Sequence, residues 1–234
     1  MDLHAFFEIH APRLDTPQAL GDCLRQMVQA GLDQLPMPGS GQTLERWQRL
    51  GRVAGQDLGL CKLYEGHTDA LATLHELGAP RPAPGSTWGL WAAEPPDARV
   101  DVHLVDGQAI LTGRKAWCSG AAVVSHGLLT ARDEQGAVQL VAVDMHQPHI
   151  SVSSHGWEAV GMRATASVEV TFDQAPATCI GRPGDYLQRP GFWHGAIGIA
   201  ACWHAAASRL GSYLQQHCSQ REEPHAQAHL GAVN

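Results

Sequence analysis

The chain has 234 residues, of which 44% are hydrophobic and 17% charged, and its formal net charge is −7. That length supports one large domain or two small ones with a real core, and the composition excludes a disordered chain. An acidic balance with scattered arginines excludes a primary role in nucleic-acid binding. No apolar run reaches membrane-spanning length, and Met1-Asp2-Leu3-His4 carries no basic leader, so the expectation is a cytoplasmic chain with no membrane partner.

Six cysteines (Cys23, Cys61, Cys118, Cys179, Cys202, Cys218) lie far apart with no C-x-x-C pair, which suits a reducing compartment. Fourteen histidines offer only His225 and His229 at i, i+4 spacing, and no third ligand accompanies them, so no metal site is expected.

In chain order, residues 1–82 read as a helical domain. Thr16-Pro17 gives an N-cap with proline in the first turn. Leu20, Leu24, Met27, Val28, Leu32 and Leu35 recur at helical spacing, with Asp22, Arg25 and Gln26 opposite. A second start at Thr43 puts Leu44, Trp47, Leu50, Val53, Ala54 and Leu58 on one face, and Leu63 to Leu77 makes a third helix ending at Gly78. Pro82-Ala83-Pro84-Gly85 then marks a boundary.

Residues 83–184 change to short segments of period two. Val100 to Leu104, then Asp106-Gly107, then Ala109 to Thr112 predicts a hairpin, and Val138 to Val143 and Ser167 to Phe172 are further strands. Strands so closely spaced predict an antiparallel barrel or sandwich, and no G-x-G-x-x-G follows any of them. Residues 185–234 return to helix. Ile197, Ala200, Ala201, His204, Ala205, Leu210 and Leu214 continue through a Gly- and Ala-rich stretch with little charge. Its small residues let helices approach closely and predict a helix buried against other helices. A last helical segment from Pro224-His225 reaches Asn234 with barely two turns, which predicts that further helices of an incomplete bundle follow. The fold class is thus α+β: an N-terminal helical domain, a central β domain and the start of a C-terminal helical bundle.

Three motifs sharpen this. Trp91-Ala92-Ala93-Glu94-Pro95 resembles the T-E-P segment of the acyl-CoA dehydrogenase family, with Ala93 in the Thr position. Leu111-Thr112-Gly113-Arg114-Lys115-Ala116-Trp117-Cys118-Ser119-Gly120 resembles that family's G-x-K-x-W-I-T-N-G strand. Gly161-Met162-Arg163-Ala164-Thr165 with Val168 to Asp173 resembles its G-x-R-x-S segment and closing strand, and Gly195 to Ala200 resembles the first long helix of its C-terminal bundle. A lone tryptophan is by default a core residue; the motifs on either side, in the family's order, favour a flavin wall instead.

The resemblance implies FAD as cofactor, held by Leu90, Ala92, Ala93, Trp117 and Ser119. Trp117 would pack on the isoalloxazine, and the Ser119 hydroxyl would share its face near the hydride-accepting nitrogen. It implies desaturation of an acyl-CoA-like thioester in fatty acid metabolism, with an unspecified electron acceptor and a homo-oligomer. Where the family has G-A-G-S-D to meet phosphates, this chain has Pro96-Asp97-Ala98-Arg99. The family's carboxylate base comes late in the C-terminal bundle. Glu222 and Glu223 read as a solvated charge cluster, so no catalytic residue is assigned, and this chain alone is expected to be inactive. Two alternatives stand beside the dehydrogenase: a non-catalytic binding or assembly module, and a flavin monooxygenase on the same scaffold.

Overall fold

The computed structural model describes residues 1–10, 13–221 and 223–233. Four helices come first: α1 (Leu3–His10), α2 (Pro17–Gln29), α3 (Thr43–Gln56) and α4 (Leu58–Glu76). Thr16 caps α2 as the sequence predicts, its hydroxyl accepting from the Ala19 amide at 3.2 Å. Leu20, Leu24 and Met27 are buried while Asp22 and Gln26 face out. Two details differ from the expectation. Leu44 is 66% exposed, and Arg46 takes an inward position instead. The third helix starts at Leu58 rather than Leu63, because Asp57 is extended and its carboxylate caps α4 by accepting from the Leu60 amide at 2.7 Å.

Seven strands follow: β1 (Trp88–Trp91), β2 (Val100–Val105), β3 (Gln108–Cys118), β4 (His126–Arg132), β5 (Val138–Asp144), β6 (Ile150–Val152) and β7 (Val168–Ile180). Asp106 and Gly107 both have positive φ, 51° and 82°, and close the predicted hairpin so that Val105 faces Gln108. Pairing runs β4–β2–β3–β7–β5 and returns from β5 to β4, so five strands close a ring, with β1 added to β4 and β6 to β7. The ring is not purely antiparallel. β1 and β2 both pair parallel to β4, along successive stretches of one edge, because the β2–β3 hairpin intervenes between β1 and β4 in sequence.

A clasp of hydroxyls fixes the start of β1 to β4. The Thr87 amide donates to Ser125 Oγ at 2.9 Å, the Ser125 amide donates to Thr87 Oγ1 at 3.0 Å, and Ser125 Oγ donates to the Thr87 carbonyl at 2.9 Å.

The C-terminal part holds α5 (Asp185–Gln188), α6 (Gly191–Gln220) and α7 (Pro224–Val233). The Gly- and Ala-rich α6 docks through its small residues, while its larger apolar residues stay outside. Ile197 and Leu210 are exposed, as are Trp193, Trp203 and Tyr213. What docks on α3 and α4 is a line of small residues at heptad spacing: Gly191, Gly195, Gly198, Cys202 and Ala205. At Gly195 a Cβ would stand 2.8 Å from Asp69 Oδ1, so only glycine permits this approach. Ahead of α6, the buried guanidinium of Arg189 reaches Glu76 at 3.0 Å and Asp69 at 3.5 Å, tying the helix to α4. Burial, then the nearby Glu65, pushes the Asp69 carboxyl up to about 6, with Arg189 opposing.

Among the described residues, no helix is long and apolar enough to cross a membrane. Glu223 pairs with His217 at 3.2 Å in an exposed cluster, while Glu222 and Asn234 lie outside the described residues.

Candidate functional site

The site is built around the exit of β3. That strand passes under Arg99: Gly113 has φ 123°, and a Cβ there would lie 2.2 Å from the Arg99 carbonyl oxygen. Only glycine lets the crossing occur. Inward positions then alternate Ala109, Leu111 and Lys115, each buried.

Between Lys115 and Cys118 the register with β7 slips, and within that bulge Trp117 takes φ 58°. A left-handed backbone at a bulky aromatic is uncommon and marks a local demand on geometry. Its effect is to leave Trp117 57% exposed between half-buried Ala116 and buried Cys118.

The bulge also undoes the expected alternation. Ser119 lies past the end of β3, buried, and does not share the exposed face of Trp117. Its hydroxyl meets Ser167 Oγ at 2.7 Å, which meets Thr165 Oγ1 at 2.9 Å; Thr165 in turn donates to the Met162 carbonyl at 2.9 Å. The third sequence motif therefore supports the second from behind. Arg163 itself is exposed.

β1 supplies the second component. Among the described residues it pairs only with β4, and its outer edge serves no other strand there. Trp91 Nε1–H donates to the Ser119 carbonyl at 3.1 Å, joining β1 to the exit of β3. Leu90 and Ser119 border one void of about 10 Å³ under α4, room for about one water. Ala92 is half-buried and Ala93 exposed beyond the strand end.

Beneath lies a charged network that the sequence reading missed. Lys115 Nζ donates to the Thr130 carbonyl at 2.8 Å and to its Oγ1 at 2.7 Å, and stands 3.9 Å from Glu94 Oε1. Arg132 Nε donates to Glu94 Oε2 at 2.9 Å. Burial pulls the Lys115 amine down to about 8, with Glu94 opposing. Burial works to raise the Glu94 carboxyl, but Thr130, Arg132 and Lys115 together hold it below the usual range. An ionised, paired Glu94 is a strut rather than a base. The period-two pattern already put Lys115 inward, and that was the available signal.

The loop after Pro95 turns in on itself. The Ala98 amide donates to the Pro95 carbonyl at 3.2 Å, Arg114 Nη2 donates to the Asp97 carbonyl at 2.7 Å, and Arg99 Nε holds Asp101 at 2.6 Å.

Residues 95–175, which include Trp117, Ser119 and Ser167, match the family model for the acyl-CoA dehydrogenase middle domain. Butyryl-CoA dehydrogenase from Megasphaera elsdenii has the same architecture, with a TM-score of 0.71 over 93% of this chain and 69% of its own, at 12% identity. The chain has the acyl-CoA dehydrogenase fold. On that fold it is also similar to KijD3 in complex with FMN and a dTDP-linked amino-keto sugar, with a TM-score of 0.73 and 18% identity over 94% of this chain and 65% of that one. In sequence it is 26% identical over 178 residues to the probable FMNH2-dependent monooxygenase SfnC of Pseudomonas putida. That match takes in 68% of this chain and 43% of SfnC, so the chain spans less than half the length of that relative.

Proposed function

We propose that this chain is the flavin-holding part of a monooxygenase-type oxidoreductase acting on a small molecule, with FMN rather than FAD as its flavin. The observation that carries the reading is Trp117, a large flat side chain left exposed by a left-handed bulge at the end of β3, next to the turn that Trp91 of β1 ties down through the Ser119 carbonyl. The middle-domain match, the FMN bound to KijD3 and the naming of SfnC support it. The FMN bound to KijD3, the naming of SfnC, and Pro96-Asp97-Ala98-Arg99 in place of a glycine-rich loop favour FMN over FAD or a CoA thioester. Nothing in SfnC or KijD3 supports the fatty acid metabolism that the sequence suggested, and the dehydrogenase reading becomes the alternative.

In this reading the Trp117 indole forms one wall of the ring site, and the backbone of Leu90 to Ala93 hydrogen-bonds the ring's polar edge. Ala93 contributes no hydroxyl, and the Ser119 hydroxyl stays with Ser167, so side-chain donors are few. Thr165 and Ser167 fix the turn behind Trp117, and Lys115 with Glu94 fixes β3 to the end of β1. A reduced flavin bound there would supply the two electrons that activate molecular oxygen toward the substrate.

The test is flavin retention by the purified chain after desalting, followed by absorbance and fluorescence. FMN should be retained with a perturbed band, more tightly than FAD, and Trp117→Ala should weaken it about tenfold or more. A folded chain that holds neither flavin would falsify the reading. A flavin bleached by butyryl-CoA without oxygen would restore the dehydrogenase.

A further inference from the structure

A second, wide cleft lies away from Trp117. It has a volume of about 1250 Å³ and lies between the loop after α2, the first turns of α3, one face of α4 and the linker that leads to β1. Nothing in the proposed chemistry uses it.

Its charges do not balance internally. Arg46 is only 3% exposed, yet among the described residues its one side-chain hydrogen bond runs from Nη1 to the Pro36 carbonyl at 3.1 Å. No carboxylate among the described residues lies within 4.0 Å of it, and Asp69 and Glu65 act on it only from farther away. A guanidinium buried without a paired acid is expensive, and such groups mark sites that receive an anion. Arg81, on the linker across the cleft, is exposed and has no ion pair among the described residues.

The acids lining the same cleft are already engaged. Glu45 holds Arg49 Nη2 at 2.6 Å. Asp33 Oδ2 accepts from His67 Nε2 at 3.3 Å, while His67 Nδ1 accepts from the Trp88 amide at 3.2 Å. The N-terminus of α3 also borders the cleft, and its N-cap residue, Gln42, makes no side-chain cap. Its first-turn amides and positive dipole end thus stand beside Arg46. Leu35, Met37 and Leu71 give the remainder of the wall an apolar character.

We propose that this cleft binds a small organic anion, with a carboxylate or phosphate head group on Arg46 and Arg81 and an apolar body against Leu35 and Leu71. The site is separate from the Trp117 wall and stands independently of the flavin reading. Charge-assisted contacts to arginine supply the affinity, and the apolar wall supplies the preference for an organic over an inorganic anion.

The experiment is calorimetric titration of the 234-residue chain with benzoate, phenyl phosphate and the neutral benzyl alcohol at fixed ionic strength. At least one anion should bind about tenfold or more tightly than benzyl alcohol. The stronger of the two identifies the head group. Arg46→Met and Arg81→Ala should each weaken that anion by about tenfold, while Trp117→Ala leaves it unchanged. If Arg46→Met does not fold, the exposed Arg81 decides alone. Binding no better than benzyl alcohol, binding that survives the arginine substitutions, or binding lost with Trp117 would each overturn the proposal.

Discussion

Lys115 Nζ stands 3.9 Å from Glu94 Oε1 and 2.7 Å from Thr130 Oγ1, so one buried amine braces the strand that bears Trp117 against the segment that follows β1. Replacing it with methionine keeps the volume but leaves the Thr130 oxygens and one side of Glu94 unpartnered. Lys115→Met should cost about 2–3 kcal/mol in urea unfolding. The pH dependence carries a sign. The amine titrates near 8 when folded against 10.5 in the ordinary case, so between these values the unfolded chain holds more protons. Stability from this group therefore rises with pH from about 8 to about 10.5. The difference between wild type and Lys115→Met should grow across that window; a constant difference would refute the buried amine.

Asp69 behaves in the opposite sense. Its folded carboxyl is pushed up to about 6 from 3.8, so the folded chain holds the extra proton between those values. Stability from Asp69 is greatest below about 4, falls as pH rises to about 6, and is flat above. Asp69→Asn should remove that fall. Urea midpoints of the two proteins at half-unit steps of pH check it, and parallel curves would mean that Arg189 keeps the carboxylate ionised throughout.

Gly113→Ala tests the crossing under Arg99. Both the 2.2 Å approach and the φ of 123° oppose a side chain, and the two costs fall on the same residue. The variant should lose about 3 kcal/mol or more, or fail to fold, whereas Gly136→Ala, in an open turn with nothing within 4 Å, should lose about 1 kcal/mol. Equal losses in thermal unfolding would remove the crossing as the cause.

Much of the fold was legible in the sequence for local reasons. Thr16-Pro17 and Asp106-Gly107 carry their own geometry, and the periods of two and 3.6 separate the β domain from the helices. What was not legible depends on partners distant in sequence. The closure of the ring through β5 and β4 and the parallel pairing of β1 leave no local mark. The small residues of α6 announced close packing, but which of them form the docking line (Gly191, Gly195 and Gly198) depends on α3 and α4, far away in sequence. At the site, Trp117 stood out by its motif. The orientation of Ser119 did not, because one left-handed residue shifts everything after it. Arg46 left no sequence signal: a charge at helical spacing does not announce that it, and not Leu44, turns inward.

The clasp between Thr87 and Ser125 joins positions 38 apart. During synthesis β1 emerges well before its only partner, so Trp88 and Trp91 must wait in an unpaired strand while the β2–β3 hairpin forms beside them. Local pairing is fast and distant pairing slow, since the intervening loop must first be closed. The hairpin is therefore the natural seed, and docking of β1 a late event. The vulnerable interval for misassembly is the one in which two indoles and an open strand edge are exposed together. The strand whose free edge would serve a ligand in the finished protein is the one that the nascent chain must shield longest.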